Sequence, residues 1–255
     1  LIRVFVGCAP NHEDAESQAV LEYTIRKHAS QPVEITWMRL TNDRRSPFFV
    51  HRWDTSTWAT PFSGFRYAVP ALCGYEGCAI YMDSDVIVQA DVAELAALPA
   101  RGFGVVARAS NRLCVSLWNC GALPTALPLD AIRVGGRAPL TVRPFPSDQQ
   151  WNVLDGERYE LDDPRVKAIH YTSMPHQPHL GRAMRRLKCA GRSHWFDGKP
   201  TRHWRADLLE LFDRLFHEAH EAGYTVDRYC QHEPDVVYSK GSNANLRGEV
   251  PSWAR

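Results

Sequence analysis

No stretch of this chain approaches the run of about 18 uninterrupted apolar residues that a membrane-spanning helix needs, and none is repeated or of low complexity. The first residues lack the basic, apolar and small-residue layout of a secretory leader; because the chain opens on Leu1 rather than Met, residues upstream of it are expected. Charge of one sign is also missing: 30 Lys and Arg balance 29 Asp and Glu, a net charge of +1. No global field therefore draws the protein to nucleic acid. The seven cysteines, Cys8, Cys73, Cys78, Cys114, Cys120, Cys189 and Cys230, are odd in number, scattered, and include no Cys-x-x-Cys pair. Several sit in apolar runs, where a free thiol behaves as a small hydrophobe. A disulfide framework is disfavoured and a reducing compartment favoured. With 44% hydrophobic and 23% charged residues over 255 positions, the expectation is a soluble, cytoplasmic chain built on one large α/β domain, with room for a small appendage. Eight Trp and eleven His exceed the usual share; such rings line sugar sites or fill cores.

What is present is organised around Cys78-Ala-Ile-Tyr-Met-Asp83-Ser84-Asp85-Val-Ile-Val88. An apolar run of this length behind a Gly-containing turn (Gly74, Gly77) reads as a strand buried on both faces. Asp-x-Asp alone arises by chance about once in such a chain; its place inside an apolar strand is less common. Two carboxylates at i and i+2 where a strand leaves a sheet reach one cation, and without a partner their burial would be costly.

Upstream, Ile2 to Val6 reads as a strand ending at Gly7, Glu16 to His28 as a helix, and Val33 to Met38 as a second strand. This β-α-β opening implies a parallel pair with a right-handed crossover, with ligands at the carboxyl ends of the strands. The loop Gly7–His12 becomes a candidate wall of the site. Residues 43–62 carry no clean period and read as a long surface loop or flap. A short helix is expected over 63–73, with Arg66 interrupting its apolar side. Downstream, a short helix over 92–98, strands at 104–107 and 113–118, a turn at Asn119-Cys-Gly121, a Ser147-capped helix over 147–154, and a strand at 166–172 ending near His170 are expected. Asp148 would fall in the first turn of that capped helix, where a carboxylate is stabilised anyway. His170 at a strand end is a plausible third cation ligand beside the two Asp. Arg182, Arg185, Arg186, Lys188 and Arg192 form a basic run, read as a solvated face or as a contact for phosphates or an anionic acceptor. The clearest helix spans 204–222, apolar at Leu208, Leu211, Phe212, Leu215, Phe216 and Ala219 and closed by Gly223; the tail from Glu233 is irregular.

Four separated motifs then resemble one family in the right order. Phe65-Arg66-Tyr67 followed by Ile80-Tyr-Met-Asp83-Ser84-Asp85, then Trp118-Asn119-Cys120-Gly121, Asp148-Gln149-Gln150-Trp151-Asn152, and Ile169-His170-Tyr171-Thr172 are similar to motifs of glycosyltransferase family 8, the glycogenin and lipopolysaccharide galactosyltransferase type. The resemblance covers residues 1–180 and implies a GT-A fold: α/β, a Rossmann-like, mixed but mainly parallel sheet flanked by helices. Residues 181–255 would be a C-terminal helical extension packed on it. The departures are specific. Ser173 stands at the family's Gly position, His176 at its Lys, and Gln177-Pro178 at its Pro-Trp; the loop after Val6 lacks the residues the family uses around the uracil base.

The resemblance implies transfer of a sugar from a nucleotide diphosphate sugar, UDP-linked, to a glycan or glycolipid acceptor with retention, and no nucleic-acid partner. Asp83, Asp85 and His170 would hold Mn²⁺ or Mg²⁺, and Arg66 would stabilise the leaving diphosphate. Gly7, Cys8, Ser84, Asn119, Gly121 and His176 would line the donor, His176 contacting the diphosphate when protonated. Asp148 and Gln149 would line the sugar and acceptor side. The basic run suits peripheral contact with a membrane-borne acceptor. Other classes remain open: a haloacid-dehalogenase-type phosphatase, a nucleotidyltransferase, or a non-catalytic protein of the same fold that binds a nucleotide sugar or glycan.

Overall fold

The computed structural model describes residues 1–123, 128–136, 139–230, 235–242 and 250–254. The irregular tail expected from Glu233 falls partly outside them. In chain order the elements are β1 (Ile2–Gly7), α1 (Ala15–His28), β2 (Val33–Met38), α2 (Val69–Leu72), β3 (Cys78–Asp83), β4 (Val86–Val88), α3 (Val92–Ala96), β5 (Val105–Ala109), β6 (Arg112–Asn119), α4 (Leu129–Arg133), β7 (Val142–Pro144), β8 (Val153–Leu154), β9 (Ala168–His170), α5 (Leu180–Cys189), α6 (Ala206–Glu221) and α7 (Val226–Tyr229). A six-stranded sheet runs β2-β1-β3-β6-β5-β7, and a three-stranded sheet runs β4-β9-β8. In the large sheet β1 pairs parallel to β2 and β3, and β5 to β7, while β6 lies antiparallel to both neighbours. The fold is therefore mixed and mainly parallel, as expected.

Alternation along β1 and β3 divides the interior. Val4, Val6, Ile80 and Met82 point to the face covered by Leu21 and Ile25 of α1 and by Val92 and Leu95 of α3. Phe5 and Tyr81 point to the opposite face, against Phe62, Phe65, Trp53 and Trp58. Period-2 patterning with both faces apolar demands a cover on each side. The second cover is the segment 43–62, and here the expectation of a surface loop fails. Phe48, Val50, Trp53, Trp58 and Phe62 are buried, and Trp53, Trp58 and Phe65 meet edge to face with ring centroids 4.9–5.9 Å apart. The segment packs through aromatic side chains at irregular spacing, which periodicity does not register.

Two further expectations need correction. The apolar run 78–88 is not one strand: it breaks at Ser84-Asp85, with β3 in the large sheet and β4 in the small one. Nor is 147–154 a helix, since residues 147–148 form a turn and Val153–Leu154 pairs in parallel with β9. Trp151 is fully buried there, so side-chain burial and strand pairing outweigh the Ser147 cap signal. The β1, α1 and β2 spans and the parallel crossover agree with expectation. So does α6, which buries Leu208, Leu211, Phe212 and Leu215 against Val20 of α1, Ile87 and Ile169, each such side chain contributing roughly 1.5–3 kcal/mol. Gly223, at φ +86°, follows α6 in the left-handed conformation that glycine adopts without strain. Among the described residues no helix is long and apolar enough to cross a membrane.

Candidate functional site

The carboxyl ends of β1 and β3 meet at one edge, where Gly7 is the register partner of Asp83. Asp83 and Tyr81 share a face by strand alternation, and the Tyr81 hydroxyl donates to Asp83 Oδ1 at 2.7 Å. Burial and the adjacent Asp83 carboxylate hold the Tyr81 phenol well above its ordinary range, so it remains a donor. Arg66 Nη2 lies 3.1 Å from both Asp83 oxygens, and the guanidinium sits over the Tyr81 ring at 5.3 Å. The absence of a side chain at Gly7 has a local cause: a Cβ there would stand 2.2 Å from the Tyr81 hydroxyl oxygen.

At Ser84 the chain crosses to the second sheet. Ser84 N–H donates to Gly7 O at 3.1 Å, and its hydroxyl donates to Asp14 Oδ2, also at 3.1 Å. Asp14, buried just before α1, also accepts from Ala9 N–H at 2.7 Å; burial pushes its carboxyl up. Asp85 continues the small sheet's ladder, its carbonyl accepting from Tyr171 N–H at 3.1 Å. Gln177 Nε2 donates to Asp85 Oδ2 at 2.6 Å, and His170 Nε2 lies 3.2 Å from Asp85 Oδ1.

His170 is nearly fully buried, and its Nδ1 is 3.2 Å from Asn152 Oδ1. An amide oxygen only accepts, so this bond places the proton on Nδ1 and turns the Nε2 lone pair toward the carboxylates. Burial pushes His170 down, but the Asp85 carboxylate and the Cys114 sulfur oppose it and hold the imidazole well above its ordinary range. The pocket thus favours a positive charge at Nε2, whether a proton or a metal ion. Asp85 Oδ1 is buried and meets only the ion-pair contact of His170 Nε2 at 3.2 Å. A buried carboxylate oxygen facing an imidazole nitrogen, with charge taken up there by a proton or a metal, fits a divalent cation.

Around these groups lies a cavity of about 260 Å³, lined among others by Asp14, Ser63, Arg66, Arg112, Gln177 and His179. Asp83, Asp85, Ser84, His170 and Arg66 all line it. The other expected residues are elsewhere. Gly7 and Cys8 back the edge without lining the cavity; the Cys8 thiol is buried and pushed up to about 12 by that burial. Of the β1–α1 connection, Asp14 rather than the loop Gly7–His12 forms the wall. Asn119 pairs with Cys78, at the opposite end of β3 from Asp83; its amide donates to the carbonyls of Ala100 and Phe103 at 3.1 Å each, a structural bond. Gly121 lies at that far end too, its N–H bonded to Gly77 O. His176 packs against Trp204 with its Nδ1 2.8 Å from Ser173 Oγ, and burial together with His203 pushes its pKa down. It stays neutral and outside the cavity. Gln149 lines a separate cleft of about 470 Å³ with Arg108, Asn152 and Tyr159, while Asp148 is exposed in the turn beside it. The basic run is partnered at Arg182 by Asp213, at Arg186 by Glu16 and at Arg192 by Asp235.

Sequence reasoning missed Asp14, Asn152, Gln177 and Cys114. Asn152 was legible only as the last residue of the Asp-Gln-x-x-Asn motif; Gln177 follows His176 directly. No local signal marks Cys114, which arrives through strand pairing, or Asp14, which the β1–α1 connection brings to Ser84.

No family model matches the chain. Protein CDI of Arabidopsis thaliana is 29% identical in an alignment 203 residues long that covers 67% of this chain and 77% of that protein. Among solved structures, the glycosyltransferase GlyE of Streptococcus pneumoniae TIGR4 superimposes with a TM-score of 0.50 at 14% identity, over 92% of this chain and 66% of GlyE. The galactosyltransferase LgtC, solved in complex with donor and acceptor sugar analogs, gives 0.48 at 11% identity over 88% of this chain and 100% of LgtC. The likeness to GlyE is one of fold: this chain has the GT-A architecture.

Proposed function

We propose that this chain is a metal-dependent glycosyltransferase, a divergent relative of glycosyltransferase family 8, which moves a sugar from a nucleotide diphosphate sugar to a glycan or glycolipid acceptor with retention. The observation that carries this reading is the convergence of Asp83, Asp85 and His170 at the carboxyl edge of a GT-A sheet, with Asn152 fixing the ligating tautomer of His170. In it, Asp83, Asp85 and His170 hold Mn²⁺ or Mg²⁺. The ion would neutralise charge on the diphosphate as the sugar–phosphate bond breaks.

The chain's own groups do the rest. Arg66, paired with Asp83, and Arg112, exposed at the cavity wall, supply fixed positive charge for the departing diphosphate. Ser84, tied to Gly7 and Asp14, holds the two carboxylates in register. Gln149 lines the separate cleft together with Asn152, whose Oδ1 meets His170 Nδ1, and faces the acceptor side. In this reading residues 1–180 are the transferase domain and residues 181–255 its C-terminal extension.

The test is a thermal-shift screen of UDP, GDP, CDP and ADP, each with and without Mn²⁺. A nucleotide present at a hundredfold excess over its Kd stabilises by about 2.7 kcal/mol, or roughly 5–10 °C for a chain of this size. One nucleotide should give such a shift, with UDP the first candidate, only with Mn²⁺ and not in Asp85→Asn. A screen without any metal-dependent shift would refute the proposal.

A further inference from the structure

Met82 pairs with Val115 across the antiparallel β3–β6 ladder, so the next rung sets Asp83 opposite Cys114. Opposed residues of an antiparallel pair present their side chains on the same face. The Cys114 thiol and the Asp83 carboxylate are therefore aimed into the same space, and His170 enters it from the other sheet. One ligand atom from each of Asp83, Cys114 and His170 lies within 4.8 Å of the other two. That spacing closes round a single ion with metal–sulfur and metal–nitrogen bonds of about 2.3 and 2.0 Å after small side-chain adjustments. Cys114 is partly exposed to the cavity, and its sulfur lies 3.5 Å from Arg66 Nη1, the guanidinium that also holds Asp83. Arg66 thus spans both candidate ligands.

We propose that Cys114 is a sulfur ligand of the cation centre, giving a mixed carboxylate, imidazole and thiolate donor set that selects Co²⁺ or Zn²⁺ over Mg²⁺. The inference rests on the reading that Asp83 and His170 hold a cation. Mg²⁺ seeks oxygen and dehydrates reluctantly, whereas a thiolate is a soft donor matched to Zn²⁺ and Co²⁺. Ligation forms one metal–sulfur bond and releases the thiol proton to solvent, without change of oxidation state. The ligand arises from strand pairing between positions 31 residues apart, so no motif announces it.

The experiment titrates the chelator-treated full chain with Co²⁺ under reducing conditions and follows thiolate-to-cobalt charge-transfer absorption, with calorimetry for Zn²⁺ and Mn²⁺. The band should saturate at one equivalent and disappear in Cys114→Ser, with Co²⁺ and Zn²⁺ affinity falling about tenfold or more and Mn²⁺ affinity little changed. It should also disappear in His170→Gln, which keeps every cysteine and so locates the sulfur–metal bond here rather than at another thiol. Circular dichroism of both variants checks their fold. If Co²⁺ binds without the band, or equally well to Cys114→Ser, Cys114 is not a ligand, and the Asp83, Asp85 and His170 reading survives through its Mn²⁺ binding. If the unmodified chain binds none of the three ions, the metal reading falls and this inference with it.

Discussion

Replacing Gly7 by Ala tests whether the Tyr81 hydroxyl is held in place by close packing beneath it. The added Cβ would stand 2.2 Å from the Tyr81 oxygen, 3.1 Å from its Cζ and 3.3 Å from Phe62 Cδ2. Normal contact requires the hydroxyl to retreat by about 1 Å. Tyr81 is fully buried, and its oxygen is 2.7 Å from Asp83 Oδ1, so a shift of that size breaks the bond. Overpacking costs about 1–3 kcal/mol and loss of a hydrogen bond to a charged group about 1.5–3, so Gly7→Ala should destabilise by roughly 3–5 kcal/mol. Tyr81→Phe alone loses the hydrogen bond but leaves Asp83 with Arg66, and should cost about 1.5 kcal/mol. In the double variant the 2.2 Å clash is gone and only the contacts at 3.1 and 3.3 Å remain. The two changes should therefore couple by about −2 kcal/mol, the double variant being less destabilised than the sum. Urea denaturation of the four proteins measures this directly. Additivity within about 0.5 kcal/mol would refute the argument that Gly7 is there to seat Tyr81 under Asp83.

Asn152→Leu should lower divalent-cation affinity about 10–100-fold by freeing the His170 tautomer, and should cost about 1–3 kcal/mol of stability because His170 Nδ1–H is left buried without its acceptor; unchanged affinity by calorimetry would deny the positioning role. Trp58→Ala should cost about 3–5 kcal/mol if 43–62 is core, against less than about 0.5 for a surface site, as read from the urea midpoint. Burial pushes the Glu13 carboxyl up to about 8 from an ordinary value of 4.5. The folded protein then binds a proton that the unfolded chain has released, so this contribution is complete below pH 4.5 and is lost as pH rises toward 8. Glu13→Gln should flatten that part of the stability–pH profile, and an identical slope in both proteins would count against it.

The opening β1-α1-β2 unit was legible because each element carries its own period and its own stop: Gly7 at the end of β1, Pro32 before β2. The Asp-x-Asp pair was legible because apolar strands flank it. Cys114 was not, since its proximity to Asp83 depends on which strands pair and in what register, a long-range outcome that no window records. Asn119 shows the converse. Its motif was visible, but β6 runs antiparallel to β3 and carries it to the far end of the sheet, where it bonds two loop carbonyls. The Ser147 cap signal was real chemistry without a helix behind it, because Trp151 and Val153 gain more from burial and pairing with β9.

The break at Ser84 has a mechanical consequence. Asp83 and Cys114 ride on the six-stranded sheet, while Asp85 and His170 belong to the three-stranded one. An ion held by the four would be a rivet through a seam, and the seam's opening would set the spacing of its ligands. Slight sliding of one sheet past the other would loosen the grip without altering any ligand. A bound ion, conversely, would join two otherwise separable cooperative units into one, so that amides in β3 and β9 would exchange with solvent at a common, slower rate.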